Sequence, residues 1–154
     1  MRELILLRHA ETEELCAGES DRDRQLSERG HAEAIAAGRW LADHKLSIDR
    51  VLCSPARRTQ QTAELALPNL PLTLAPDIYD ATPGTLFTLI DQHQDAITLV
   101  LVGHNPGIEQ LVALLVEGRS EDYRGMPPGA LARLRVAPGP LEPGSATLEA
   151  FWSP

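Results

Sequence analysis

Three short apolar runs in this chain each break off into a cluster of polar, chemically capable side chains. Leu4-Ile5-Leu6-Leu7 runs into Arg8-His9-Ala10-Glu11-Thr12. Ile48-Asp49-Arg50-Val51-Leu52-Cys53 runs into Ser54 through Thr62, and Ala96 through Val102 runs into Gly103-His104-Asn105-Pro106-Gly107. The unbroken run Leu4 to Leu7 reads as a buried strand, Ile48 to Cys53 as a second short strand, and Ala96 to Val102 as a central parallel strand covered on both faces. In open α/β sheets, ligands gather at the carboxyl ends of such strands. The repeated pattern therefore constrains both the fold and the place where chemistry is done.

The segments between the runs are helical in character. Ser27 reads as a helix N-cap, and Ala32, Ile35, Ala36, Leu41 and Ala42 fit an apolar face through His44. A second helix is predicted from Pro55 to Leu67, with Ser54 as its cap and Pro55 in its first turn. Further helices are predicted over Thr85 to Gln94 and Ile108 to Glu117. Leu72 to Leu74 reads as a brief strand, and Leu131 to Val136 and Ser145 to Trp152 as two closing strands. Glu13 to Gln25, including Asp21-Arg22-Asp23-Arg24, reads as a solvated loop near the mouth of the site. Strands alternating with helices predict one α/β domain over residues 1–154, a three-layer sandwich with a mainly parallel central sheet flanked by helices.

Composition excludes several classes. With 22 acidic and 14 basic residues the net charge is -8, which argues against a nucleic-acid or membrane-surface binder. Cys16 and Cys53 make neither a disulfide framework nor a four-ligand metal pattern. Nothing at the N-terminus resembles a signal peptide, and no apolar stretch approaches the roughly 20 residues of a membrane span. A cytoplasmic location is the expectation.

Brought to one sheet edge, the three clusters offer two histidines, up to three arginines and a glycine that admits close backbone approach. That set suits a phosphoryl group. Guanidinium groups bind phosphate oxygens bidentately, and neighbouring arginines keep an imidazole neutral and nucleophilic.

The same residues resemble the signatures of the histidine phosphatase superfamily, the phosphoglycerate mutase-like proteins. Leu6 to Thr12 is similar to its RHG/RHA motif. Gln25-Leu26-Ser27-Glu28-Arg29-Gly30 is similar to the pattern before its first helix. Ser54 to Ala63 is similar to S-x-x-x-R-[AT]-x-Q-T-A, and Val102 to Gly107 to V-[GS]-H-x-x. The short length and the RHA and GHNPG forms most resemble the phosphohistidine phosphatase (SixA) subgroup. The resemblance implies a phosphoglycerate mutase-like fold and a phosphatase that needs no metal or other cofactor. It implies His9 as the nucleophile that becomes phosphorylated, Arg8 and Arg58 as holders of the phosphoryl oxygens, and His104 as a hydrogen-bond donor to the same group. Thr12 and Ser54 are further candidate phosphate contacts. Arg58, not Arg57, occupies the motif position.

Larger relatives carry a long insertion that caps the site and supplies a glutamate as general acid/base. Here only about thirty residues separate the second helix from the central strand, so a large lid is absent from the expected fold. The glutamate motif is represented by Ile78-Tyr79-Asp80, which makes Asp80 the candidate proton donor. An open site suits a phosphorylated side chain on a protein, and a phosphoimidazole leaves with less help from an acid than an alkoxide does. The expected substrate is therefore phosphohistidine on a signalling or phosphotransfer protein. The alternatives are a small phosphate ester or, in another class, a non-catalytic phosphate-binding adaptor. His31, His44 and His93 read as surface residues, Arg57 as solvated or supporting, and Cys53 as a buried strand residue.

Overall fold

A computed structural model describes residues 2–154. It contains one six-stranded sheet, in the order β3-β2-β4-β1-β5-β6. The strands are β1 (Arg2–Arg8), β2 (Arg50–Cys53), β3 (Thr73–Leu74), β4 (Thr98–Gly103), β5 (Leu131–Val136) and β6 (Thr147–Trp152). The β3-β2, β2-β4 and β4-β1 pairings are parallel, and β1-β5 and β5-β6 antiparallel. The sheet is thus mainly parallel, with β5 alone running against the rest.

Helices α1 (Glu28–Asp43), α2 (Arg57–Ala66), α3 (Pro83–Asp91) and α4 (Gly107–Glu117) cover both faces. The alternation of side chains along each strand divides the core. Ile5, Leu7, Val51, Cys53, Val100 and Val102 face α1 and α2, where Ala37, Leu41, Ala63 and Ala66 meet them. Leu4, Leu6, Leu52, Leu99 and Leu101 face α3 and α4, where Leu86, Ile90, Ile108 and Leu111 meet them. Period-two alternation sends neighbouring residues to opposite layers, so these runs need apolar side chains at every position.

The predicted elements are all present, with shifts that have local causes. The helix α2 starts at Arg57 with Ala56 as its cap, not at Pro55 with Ser54 as its cap. Ser54 accepts the Ala56 N–H from outside the helix, at 3.3 Å. The strand β4 begins at Thr98, because Ile97 is 69% exposed and lies before the covered part of the sheet. The apolar face of α1 also differs from expectation. Gly30, Ala34, Ala37 and Leu41 are buried, whereas Ile35 is 41% exposed and Ala32 and Ala42 are exposed. In a helix this rich in alanine, position relative to the motif glycine decides the buried stripe.

Parallel register brings the three polar clusters together. Arg8 lies opposite Gly103, and Cys53 opposite Val102. The segments that follow β1, β4 and β2 therefore leave the sheet side by side at its carboxyl edge. No helix among the described residues is long and apolar enough to cross a membrane.

Candidate active site

His9 leaves β1 with its backbone held on both sides. Its N–H donates to the Gly103 carbonyl at 3.1 Å, and its carbonyl accepts from Gly129 N–H at 3.0 Å. Its ring Nδ1 lies 2.8 Å from the Ala10 carbonyl oxygen. A carbonyl only accepts, so Nδ1 carries the proton and Nε2 keeps its lone pair. The His104 ring centroid stands 5.4 Å away, the two rings inclined at 57°. His104 Nε2 is 2.8 Å from the hydroxyl of the fully buried Ser54. Tyr79 presents edge-to-face to His104, with ring centroids 5.6 Å apart.

Both imidazoles are held neutral. Burial pushes the His9 pKa down to about 4, partly opposed by the Ala10 carbonyl, with Arg8, Arg58 and Arg24 pushing the same way as burial. His104 falls to about 3, again first by burial and then by Arg58 and His9. The sequence suggested arginines as the cause; desolvation is the larger one, because both rings sit against a sheet edge that is buried.

The two motif arginines share a design. Arg8 donates from Nη1 to the Met126 carbonyl at 2.7 Å. Arg58, only 7% exposed although it is charged, donates from Nη1 to the Asp21 carbonyl at 2.8 Å and from Nη2 to the Asp21 carboxylate at 3.0 Å. Among the described residues, six buried side-chain atoms have no hydrogen-bond partner, and four belong to this site: Arg8 Nε, Arg58 Nε, His104 Nδ1 and Asn105 Oδ1. Native proteins satisfy nearly all such groups. Three orphaned nitrogens beside two neutral histidines form a site suited to the oxygens of a tetrahedral oxyanion.

The sequence pattern of the "Histidine phosphatase superfamily (branch 1)" matches residues 4–86. An uncharacterized Mycobacterium tuberculosis (strain H37Rv) protein is 36% identical over 147 residues, covering 89% of this chain and 93% of that one. The chain belongs to the histidine phosphatase superfamily. The crystal structure of a proposed phosphohistidine phosphatase SixA from Agrobacterium tumefaciens superposes with a TM-score of 0.86 at 30% identity, covering 99% of this chain and 98% of that one. A protein histidine phosphatase SixA complexed with tungstate superposes at 0.82 with 26% identity, covering 98% and 96%.

The fold gives physical reasons for the superfamily's motif residues here. A Cβ on Gly30 would stand 2.0 Å from the Glu11 carbonyl oxygen, so only glycine lets α1 pack against the loop after His9. A Cβ on Gly107 would stand 2.4 Å from the Ala81 carbonyl oxygen, on the other side of the site. Thr62 Oγ1 accepts Ala10 N–H at 3.0 Å and donates to the Arg58 carbonyl at 2.8 Å. Gln61 Oε1 accepts Leu26 N–H at 2.8 Å. The threonine and glutamine of the Ser54–Ala63 motif thus tie α2 to the segment that follows His9.

The structure brings His9, Arg8, Arg58, His104 and Ser54 to one place. Thr12 is at the border, its hydroxyl accepting from Arg24 Nη2. Asp80 is exposed and lines, with Arg58, His104, Asn105 and Gln110, a cleft of about 300 Å³. Arg57 is exposed and lines a neighbouring groove with Arg22. His31 and His44 are exposed as expected, whereas His93 is half-buried and accepts from Arg50 Nη1 at 3.1 Å.

Two residues escaped the sequence reading. Asp21 is not simply part of a solvated loop: it holds Arg58, and its carboxylate also accepts from Tyr79 Oη and from Arg24. Tyr79 was legible only as a neighbour of Asp80. Yet the arginine-aspartate alternation at 21–24 sits just before a motif, and such charges commonly pair inward as well as outward.

Proposed function

We propose that this protein is a metal-independent phosphatase working through a phosphorylated His9, and that it removes phosphate from phosphohistidine on a protein. The observation that carries the reading is the His9 ring: its Nδ1 is committed to the Ala10 carbonyl, which leaves Nε2 as a neutral nucleophile beside the arginine Nε groups. Superfamily membership and the SixA neighbours support a phosphatase.

In the first step His9 Nε2 forms a bond to phosphorus while the bond from phosphorus to the substrate nitrogen breaks. The substrate imidazole leaves with a proton from water at the open mouth. In the second step water attacks phospho-His9, the new P–O bond forms, the P–N bond to His9 breaks, and orthophosphate departs. Arg8 and Arg58 stabilise the charge on the equatorial oxygens in both steps. Ser54 accepts Ala56 N–H and lies 2.8 Å from His104 Nε2, and in this reading it donates its own proton to that nitrogen. This arrangement leaves a proton on His104 Nδ1, available to the phosphoryl group.

The cleft beside His104 favours a second reading, a small phosphate ester whose leaving group lies against Asp80 and Gln110. The experiment that separates them is turnover of a phosphohistidine-bearing phosphotransfer protein beside a panel of phosphorylated metabolites, with chelator present. A phosphoenzyme trapped on wild type and lost in His9→Ala, with the protein substrate preferred, is the expected result. Unchanged turnover in His9→Ala would sink the mechanism.

A further inference from the structure

We propose that Asp21 is a positioning residue for this site: it grips the Nη tips of Arg58 so that the Nε edge of the guanidinium is presented to the phosphoryl group. The inference rests on the phosphatase reading above.

A guanidinium carries its five N–H donors in a rigid planar fork. The two Nη groups can be engaged end-on, or Nε and one Nη side-on, and either edge matches two oxygens of an oxyanion. Asp21 takes the end-on edge twice over. Its main-chain carbonyl accepts from Nη1 at 2.8 Å and its carboxylate from Nη2 at 3.0 Å. The side-on edge keeps Nε, which is buried and without a partner among the described residues. The plane of Arg58 is thereby fixed, and the edge left over faces no protein acceptor.

Asp21 is itself tightly held. Its Oδ2 accepts from Tyr79 Oη at 2.5 Å, and its Oδ1 from Arg24 Nη1 at 3.3 Å. Arg22 lies 4.3 Å over the Tyr79 ring, and Tyr79 stands edge-on to His104. Together, Tyr79, Arg58 and Arg24 hold the carboxyl near pH 2, so the grip persists across any working pH. Arg8 shows the same logic with a different partner, its Nη1 on the Met126 carbonyl and its Nε unpartnered. In both arginines the tip is tied down and the stem-side nitrogen is spare.

The alternative role for Asp21 is a competitor: a carboxylate that occupies Arg58 and must be displaced by phosphate. The two roles predict opposite signs. Without the carboxylate, Arg58 is held only at Nη1 by the main-chain carbonyl, so the guanidinium plane can swing about that one contact and loses its orientation. Removing a competitor would instead tighten anion binding.

The test measures tungstate affinity by calorimetry, with kcat and KM for an aryl phosphate, on wild type, Asp21→Ala, Tyr79→Phe, Arg58→Ala and the Asp21→Ala/Arg58→Ala double variant of the full chain. Asp21→Ala is expected to weaken tungstate at least tenfold and Tyr79→Phe about threefold, with KM rising more than kcat falls. The double variant should bind no more weakly than Arg58→Ala alone, because Asp21 acts only through Arg58. Additive losses, unchanged affinity or tighter binding in Asp21→Ala would each overturn the proposal. Tungstate binding needs no turnover, so a wild type that binds tungstate but forms no phosphoenzyme defeats the phosphatase reading and still tests the grip. A wild type that bound no tungstate would overturn both.

Discussion

The Ser54 hydroxyl lies 2.8 Å from Nε2 of His104, in a position with no solvent exposure. Ser54 comes from the end of β2 and His104 from the end of β4, and the contact joins them at the bottom of the site. Ser54→Ala would leave a buried ring nitrogen unpaired and release the choice of tautomer. A lost buried hydrogen bond of this kind costs about 1–3 kcal/mol. Roughly tenfold to hundredfold lower kcat is expected, with a shift in the His104 ring nitrogen resonances. Wild-type resonances in the variant would show that Ser54 does not set the tautomer.

The acid limb of kcat/KM should lie near pH 4, the value to which burial lowers His9, and not near 6.5. The stability effect has a definite sign. Because the folded-state value is depressed, the unfolded chain binds more protons between pH 6.5 and 4. Stability contributed by neutral His9 is full above about pH 6.5 and is lost as pH falls through that window. His104, depressed to about 3, extends the loss further into acid. Urea unfolding at stepped pH and a pH–rate profile corrected for substrate ionisation check both. An acid limb at 6.5 would mean that His9 is solvated.

Gly30→Ala places a methyl 2.0 Å from the Glu11 carbonyl oxygen, a contact that only backbone movement relieves. Overpacking of this kind costs about 2–3 kcal/mol, and the loop that moves is the one after His9. Stability and activity should fall together. Ser27→Ala, which removes the side chain that accepts Gly30 N–H at 3.0 Å, should cost about 1 kcal/mol with activity largely kept. Chemical denaturation of the two variants beside assays at a temperature where both are folded gives the comparison.

Asp80 sits at φ 55° on the rim of the cleft. Asparagine tolerates that backbone equally well, so Asp80→Asn changes the acid and little else. For an alkyl phosphate, whose leaving group needs a proton, about tenfold or greater loss of kcat is expected. Phosphohistidine turnover should stay within about twofold. Equal loss on both substrates would remove leaving-group protonation as the role of Asp80.

The strands and the histidine-arginine set were legible because each rests on adjacent residues. Leu4 to Leu7 and Leu99 to Val102 have no polar position to confuse their reading, and motif spacing singles out Arg58, which is buried, over Arg57, which is exposed. The buried stripe of α1 was not legible, since alanine is apolar on every side of a helix and gives no contrast. The role of Asp21 was hidden for another reason. Its partners Arg58 and Tyr79 lie 37 and 58 residues along the chain, and only the folded sheet edge brings them together. Local charge patterns report pairing within a few residues and are silent on such distances.

The two cores on opposite faces of the sheet divide the labour of the site. Arg58 arrives with the α1–α2 layer, while Asp80, Asn105, Gly107 and Gln110 around the cleft belong to the α3–α4 layer. His9 stands between, on the shared sheet. Tyr79, from the segment between β3 and α3, spans the division, because it holds the Asp21 carboxylate that in turn holds Arg58. Substitutions at Asp80 or Gln110 can therefore re-shape the cleft alone, whereas a change at Tyr79 also loosens the hold on Arg58. On such an architecture, a lineage can change its substrates by rebuilding one side of the sheet, provided that Tyr79 is inherited with the other.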